Sequence, residues 1–514
     1  MANSSAAGRQ VSDAEEYRYD YDYVPPLAMI KSVPGIGFSL DWALLVAAVA
    51  LRLLVNAIAL EIDRDLTAID RKLASIIDDL ENRNFTAALL ALAVVVAEIV
   101  AAYAGALSLL RHVEAIAADV KNGEIDKAQQ DFAALFGGFA TLIGKRLPSG
   151  PAKSLDDYRH LFKTLPLPAI ADTFQQDSVF AELRVAGPNP LVIARMTGEL
   201  AKFPVANQQF QSVMGGGDDL AAAIAEGRIY IADYSALDWL VSGSWLDYQK
   251  YLWAPIAMFA VPRGTGPDRR LQPVAIQIGQ HPGAGNPIVV RPQPGTVSAD
   301  WDRAKTAVEI ADGNFHEAVS HLGQTHLVVE AFIMATNNQL SGHPVGTLLW
   351  PHFEGTLFIN NAAQSRLIAP RGAVDAILAG TIDGSRVAAV KGAQAVLLDF
   401  AASSPPERLA ARGVGDAGML PYYPYRDIAL PIWEAILGWT TDYVEAIYAT
   451  EDGPANDQQL QNWVVELTSH QGGRVRNVGE CAGAAEIIRT RAQLAKTLAI
   501  IVFTASPDIS PGGC

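Results

Sequence analysis

Two long apolar runs stand near the start of the chain: WALLVAAVALRLLVNAIAL at Trp42–Leu60, and an alanine-rich run at Phe85–Leu110. Each is long enough to cross a bilayer. Arg52 and Glu98 sit near their middles, however, where a charge surrounded by lipid is costly. Between them, EIDRDLTAIDRKLASIIDDLENRN has the period of a charged amphipathic helix. The three segments together predict a bundle of packed helices rather than spans, with contact to a membrane surface as the open alternative.

Further on, LPSGPAK at Leu147–Lys153 marks a linker and VAGPNP at Val185–Pro190 a second break, because Pro and Gly interrupt helical pattern. RIYIADY at Arg228–Tyr234 reads as a strand. Tyr251–Val261 and Leu271–Gly279, separated by PRGTGPDRR, read as a hairpin. From Ala299 onward apolar residues recur at three- and four-residue steps, the signature of helix. The pattern predicts a mainly α protein with a small antiparallel sheet, divided into an N-terminal helical region (1–150) and a larger domain (151–514).

Half of the 514 residues are hydrophobic and 18% are charged, the balance of a chain with a large core. The net charge of -16 repels phosphate backbones and argues against nucleic acid. Only two cysteines occur, Cys481 and Cys514, too few for a disulfide framework or a thiolate zinc cluster. The polar, acidic opening lacks the basic end and apolar stretch of a secretory signal, so a cytoplasmic protein, peripheral to a membrane at most, is expected.

Five of the nine histidines, His316, His321, His326, His343 and His352, fall within 37 positions. Neutral imidazole is a common ligand for transition metals. The zinc-protease motif HExxH fails by one residue, since the histidine after His316-Glu317 comes five positions on. Residues at i and i+5 differ by roughly 140° around a regular α-helix. His321 and His326 can therefore chelate one ion only across a wider, π-type turn, and taken alone the spacing fits one buried and one exposed imidazole better.

The residues around the pair carry more. HLGQTHLVVEAFIMATNNQLSGHPVGTLLWPHFEGTLFIN resembles the signature of the lipoxygenase family, in which H-x4-H leads through an apolar helix to HP-x3-LL-x-PH and an IN step. FQQDSVFAELRVAGPNP resembles a segment of bacterial members. APIAMFAVPRGTGPDRRLQPVAIQIG is similar to the family's hairpin, and the stretch at Tyr422–Leu467 follows its YPY…IW…W…YV…ND..LQ.W pattern. The likeness runs from about Asp156 to Ser506. It implies a helical catalytic domain with non-haem iron as cofactor, His321 and His326 as ligands and Glu317 in the supporting shell, while His343 and His352 are expected in structural roles.

The implied reaction removes hydrogen from the methylene between two cis double bonds of a polyunsaturated fatty acid. Dioxygen then adds to the pentadienyl radical, giving a hydroperoxide. A substrate that is mostly hydrocarbon calls for an apolar channel, for which the resemblance offers INNAAQSRLIAPRGAV at Ile359–Val374. Ala363 falls at the position that directs oxygen to one end and face of the pentadiene, and Leu367 and Val374 at positions that clamp the reactive carbons.

The chain departs from the family pattern near its end. RAQLAKTLAIIVFTAS resembles the run before a third histidine, but PDISPGGC follows and no histidine comes after His470. The family's third imidazole, its amide ligand and its terminal isoleucine carboxylate have no counterpart, so the catalytic domain is expected to be truncated. Two expectations result: a dioxygenase whose recorded sequence is incomplete, or a catalytically silent relative that binds lipid or a membrane.

Overall fold

The computed structural model describes residues 16–32, 40–82, 85–103, 107–122, 155–245, 248–364, 368–483 and 485–506, with scattered positions between 124 and 134. The expected linker at 147–153 and the closing residues 507–514 lie outside them.

The first apolar run forms α1 (Leu40–Glu61), the charged segment α2 (Thr67–Glu81), and the second run two helices, α3 (Phe85–Ala102) and α4 (Leu107–Asn122). Leu51, Leu54, Val55 and Ile58 of α1 pack with Leu73 and Ile76 of α2 and with Leu92, Val95 and Ile99 of α3. The two charges in the middle of the runs are paired by the helix between them. Arg52 makes a fork on the buried carboxylate of Asp70, at 2.9 and 3.0 Å, and Lys72 reaches Glu98 at 2.5 Å. A buried carboxylate is tolerated where a guanidinium meets it in this way.

One antiparallel sheet runs in sequence order, β1 (Ile193–Arg195), β2 (Ile229–Asp233), β3 (Ile256–Ala260), β4 (Gln272–Gln277) and β5 (Val289–Val290), and the three expected strands are its β2, β3 and β4. All of β3 is inaccessible to solvent, which explains its unbroken apolar run. One face of the sheet, with Tyr230, Ala257 and Phe259, packs on α5 (Asp177–Ala186) and α6 (Ala299–Phe315); Ile229, Met258 and Val274 on the other face form a second cluster. The β3–β4 register shifts between Met258 and Phe259, where the partner is Pro273. Proline has no N–H for the ladder, and a bulge accommodates it.

The helical body follows. It comprises α6, a π-helical segment at His316–Leu327, α7 (Val328–Gln339), α8 (Pro344–Leu349), α9 (Thr356–Ala362), α10 (Ile382–Leu397), α11 (Pro405–Ala411), α12 (Pro424–Ile447), α13 (Gln458–Thr468) and α14 (Arg491–Ala505). Residues 328–337 of α7 are buried on every side, and so is most of α14. Helices apolar all round belong in the middle of a body, and α12 and α13 lie around them. Thr490 and Gln493 cap the start of α14 reciprocally. Phe358 and Ile359 of α9 pack against the N-terminal bundle, joining the two regions.

The π segment lies along α10, and two glycines permit the approach. A Cβ at Gly323 would stand 2.5 Å from the Ala389 carbonyl oxygen, and one at Gly392 would stand 2.8 Å from that of Val319. Both carbonyls belong to helix backbone and cannot step aside. Gly323→Ala and Gly392→Ala are each expected to destabilise the fold by about 1–3 kcal/mol, typical of overpacking. Chemical denaturation would measure this, and either variant unfolding like the parent would show that the two segments can separate without cost.

Candidate metal centre

Residues 316–327 are tied to their neighbours by buried hydrogen bonds. Upstream, Arg184 is wholly buried and donates to Tyr234 Oη at 2.8 Å and to Glu309 Oε2 at 2.8 Å, while Tyr234 donates to Asp312 at 2.5 Å. Asn189, from the break VAGPNP, donates to the Asp312 carbonyl and accepts from Ser320 Oγ, both at 2.8 Å. These bonds anchor the end of α6 and the start of the π segment to the sheet layer.

Twelve residues of π-helix are long for a form usually seen as a single turn, and such turns concentrate at functional sites. The wider turn brings i and i+5 together. His321 and His326 face one point, their Nε2 atoms 3.2 Å apart and their rings at 75°. Both Nδ1 atoms are engaged: His321 with Glu317 Oε2 at 3.3 Å, and His326 with Asn360 Oδ1 at 2.9 Å. The Asn360 amide is oriented by its own nitrogen, which donates to the His326 carbonyl at 3.0 Å and to Glu330 Oε2 at 2.6 Å. Its oxygen must therefore face His326, whose Nδ1 carries the proton.

With a proton on each Nδ1, the two Nε2 lone pairs point at one another and repel unless a proton or a cation lies between them. Two nitrogens bound to one ion at about 2.1 Å and roughly a right angle stand about 3 Å apart, close to the spacing found. Burial pushes the His326 pKa down to about 4, His321 adding to the effect and the Asn360 bond opposing it, so the ring is neutral at pH 7 and free to bind a metal. Glu317 is held below the usual carboxylate range, first by its bond to His321. The donor chemistry fits a non-haem iron or a similar ion. Among the described residues, though, no group of three His, Cys, Asp or Glu side chains gathers at metal distance.

His316 stacks on His321 with ring centroids 5.8 Å apart, and its buried Nδ1 finds no hydrogen-bond partner among the described residues. Burial lowers its pKa, with His321 pushing the same way. The other two histidines of the cluster lie elsewhere. His343 caps α8, accepting from Val345 N–H at 3.1 Å and reaching Asp457 at 2.9 Å; His352 pairs with Ser506 Oγ at 2.8 Å and packs on Trp439.

A cleft of about 380 Å³ opens on His321, walled by Leu191, Phe315, Ile428, Ile432 and Phe503, with Arg408 and Arg412 also in its lining. None of its walls comes from the segment the sequence offered for a channel. Ala363 is buried just past α9, and Val374 is buried in a cluster with Ala318 and Val319 of the π segment. Leu367 lies outside the described residues. Sequence reasoning missed Asn360 and Glu330, although both stand inside the signature at 321–360: their roles depend on which way an amide points.

The family model for lipoxygenases matches residues 153–510. A linoleate 9/13-lipoxygenase of Pseudomonas aeruginosa is 38% identical in an alignment 501 residues long that covers 94% of this chain and 68% of that one. The chain belongs to the lipoxygenase family. A polyunsaturated fatty acid lipoxygenase of Rattus norvegicus is 33% identical over 74% of this chain and 54% of its own length. Among solved structures, a lipoxygenase in complex with arachidonate superposes with a TM-score of 0.62 at 30% identity, over 74% of this chain and 56% of that one. Coral 8R-lipoxygenase gives 0.60 at 31%, over 70% and 52%. The chain thus spans little more than half of the rat relative and of these two solved lipoxygenases, and the mainly helical fold with a small antiparallel sheet expected from the sequence is the fold of this family.

A divalent ion added to this lipoxygenase-family chain should settle between His321 and His326 at roughly 2.0–2.3 Å from each Nε2. X-ray absorption on the cobalt-loaded protein measures this, and a spectrum unchanged by both His321→Ala and His326→Ala would place the ion elsewhere.

Proposed function

We propose that the chain holds non-haem iron between His321 and His326 and serves the addition of O2 to polyunsaturated fatty acids, giving hydroperoxides. The observation that carries this reading is the convergence of the two Nε2 atoms at 3.2 Å on a π turn, with both opposite nitrogens fixed. When bound, iron would supply the one-electron acceptor for removal of a hydrogen from the doubly allylic methylene. The protein's own residues do the rest: Glu317 and Asn360 orient the imidazoles, and the buried surroundings of His326 limit access of water to that side. In this reading Ala363, Leu367 and Val374 belong to the substrate and oxygen path, by the family likeness.

One observation favours a second reading. Two imidazoles alone hold iron weakly, because affinity depends on the whole ligand set, and among the described residues no third side-chain ligand joins them. A chain with only these donors would bind lipid in its apolar cleft without oxidising it.

Iron content and conjugated-diene absorbance with linoleate separate the two. The second reading expects far less than one iron per chain and little diene. Stoichiometric iron, with strong hydroperoxide formation abolished by His326→Ala, would establish the dioxygenase and show that further residues complete the site. Fatty-acid binding without diene would establish the second reading, and absence of both would sink each of them.

If the chain proves active, Ala363→Gly should move oxygen toward the other end of the pentadiene and invert product chirality. Chiral chromatography showing one unchanged isomer would remove Ala363 from control of the product.

A further inference from the structure

Glu330 takes no part in the reading above, yet it is 1% exposed, and burial pushes its carboxyl up to about 7. Its two oxygens each accept one N–H: Oε2 from Asn360 Nδ2 at 2.6 Å, and Oε1 from the backbone amide of Ile30 at 2.7 Å. Ile30 comes from far away in sequence. It belongs to a strap, residues 16–32, whose pairing of Tyr19–Asp20 with Met29–Ile30 makes a small hairpin.

The strap is fastened along its length to the helical body. Tyr19 Oη donates to Glu466 at 2.8 Å, Tyr21 Oη to the Gly472 carbonyl at 3.1 Å, and Asn338 exchanges two bonds with the Tyr17 backbone. The Arg474 guanidinium bonds the Pro26 carbonyl and covers the Tyr21 ring at 3.9 Å. Leu27, Met29 and Ile30 are buried with the residues of α7.

We propose that this strap is a working part of the metal centre: the Ile30 amide and Glu330 together fix the Asn360 side chain, and through it the His326 tautomer whose Nε2 faces the metal. Every bond in the chain points one way. Ile30 N–H and Asn360 Nδ2–H both donate to Glu330, so Asn360 Oδ1 is left to accept from His326 Nδ1–H, and the proton is kept off Nε2. The His326 carbonyl orients the same amide, and Glu330 adds the acceptor that uses the second Nδ2 hydrogen. Glu330 is thus a positioning residue, and residues some 300 positions from the histidines reach the site through it.

The inference rests on the metal reading above, and its test separates the two. Histidine labelled with ¹⁵N, in the metal-free chain, reports which ring nitrogen of His326 holds the proton. The wild type should show Nδ1–H with an unprotonated Nε2. In Glu330→Gln an amide donor replaces one acceptor and must face either Ile30 N–H or the Asn360 amide. That variant should populate the Nε2–H form and bind Co²⁺ about 10–100-fold more weakly, the usual cost of losing a group that orients a ligand. Ile30→Pro, which removes only the backbone donor from the network, should shift both readouts in the same direction by less.

A residue that merely stabilised the fold would lower the melting temperature and leave the tautomer alone. A wild-type spectrum with the proton on His326 Nε2 overturns the proposal, whether or not the variants fold. So does a folded Glu330→Gln protein matching wild type in tautomer and Co²⁺ affinity. A wild type that takes up no Co²⁺, while Glu330→Gln still shifts the tautomer, supports the positioning role and removes the metal reading instead.

Discussion

Two imidazoles five residues apart can share one point only if the helix between them is wound more loosely than an α-helix. That constraint governs the middle of this protein. A π turn has poorer backbone geometry than the α-helix on either side of it, so its neighbours must hold it in place. Here α10 lies against it through Gly323 and Gly392, close enough that a methyl group on either would meet backbone. Thr325 Oγ1 closes on the His321 carbonyl from within the segment. The site is built where packing leaves the backbone little freedom.

Buried polar groups fasten both ends of this segment. On the upstream side the Arg184, Tyr234, Glu309 and Asp312 network ties α6 to the sheet, and Asn189 links Asp312 to Ser320. On the downstream side Asn360, Glu330 and Ile30 link α9, α7 and the N-terminal strap to His326. Polar groups withdrawn from water are costly unless satisfied, and once satisfied they permit few alternative arrangements. The geometry of the two histidines is therefore set by the protein's own hydrogen bonds.

The N-terminal bundle shows how a charge can change the meaning of an apolar run. Arg52 and Glu98 each stand in the middle of a stretch long enough to span a bilayer, and both find partners on α2. The Arg52–Asp70 fork matters more of the two, since the carboxylate is almost wholly buried, whereas Lys72 and Glu98 meet at the surface and contribute little. Phe358 and Ile359 carry this bundle onto the helix that also bears Asn360, so the N-terminal region abuts the candidate centre from a second side.

Sequence alone determined the elements and the family. The strand at Arg228–Tyr234, the β3–β4 hairpin, the amphipathic α2 and the helix from Ala299 all follow from periodicity, because burial of one face or of every face leaves a pattern along the chain. The spacing of His321 and His326 left a distorted turn open without requiring it, and the flanking signature rather than the spacing favoured it. Tertiary structure alone decided the rest. Which amide oxygen faces His326, that Glu330 accepts from a backbone 300 positions away, and that the cleft beside His321 is walled by Leu191, Ile428 and Phe503 rather than by residues 359–374 depend on contacts between distant segments. A hydrogen bond of that kind is fixed by where two backbones cross, and the crossing leaves no period or motif in either strand of sequence.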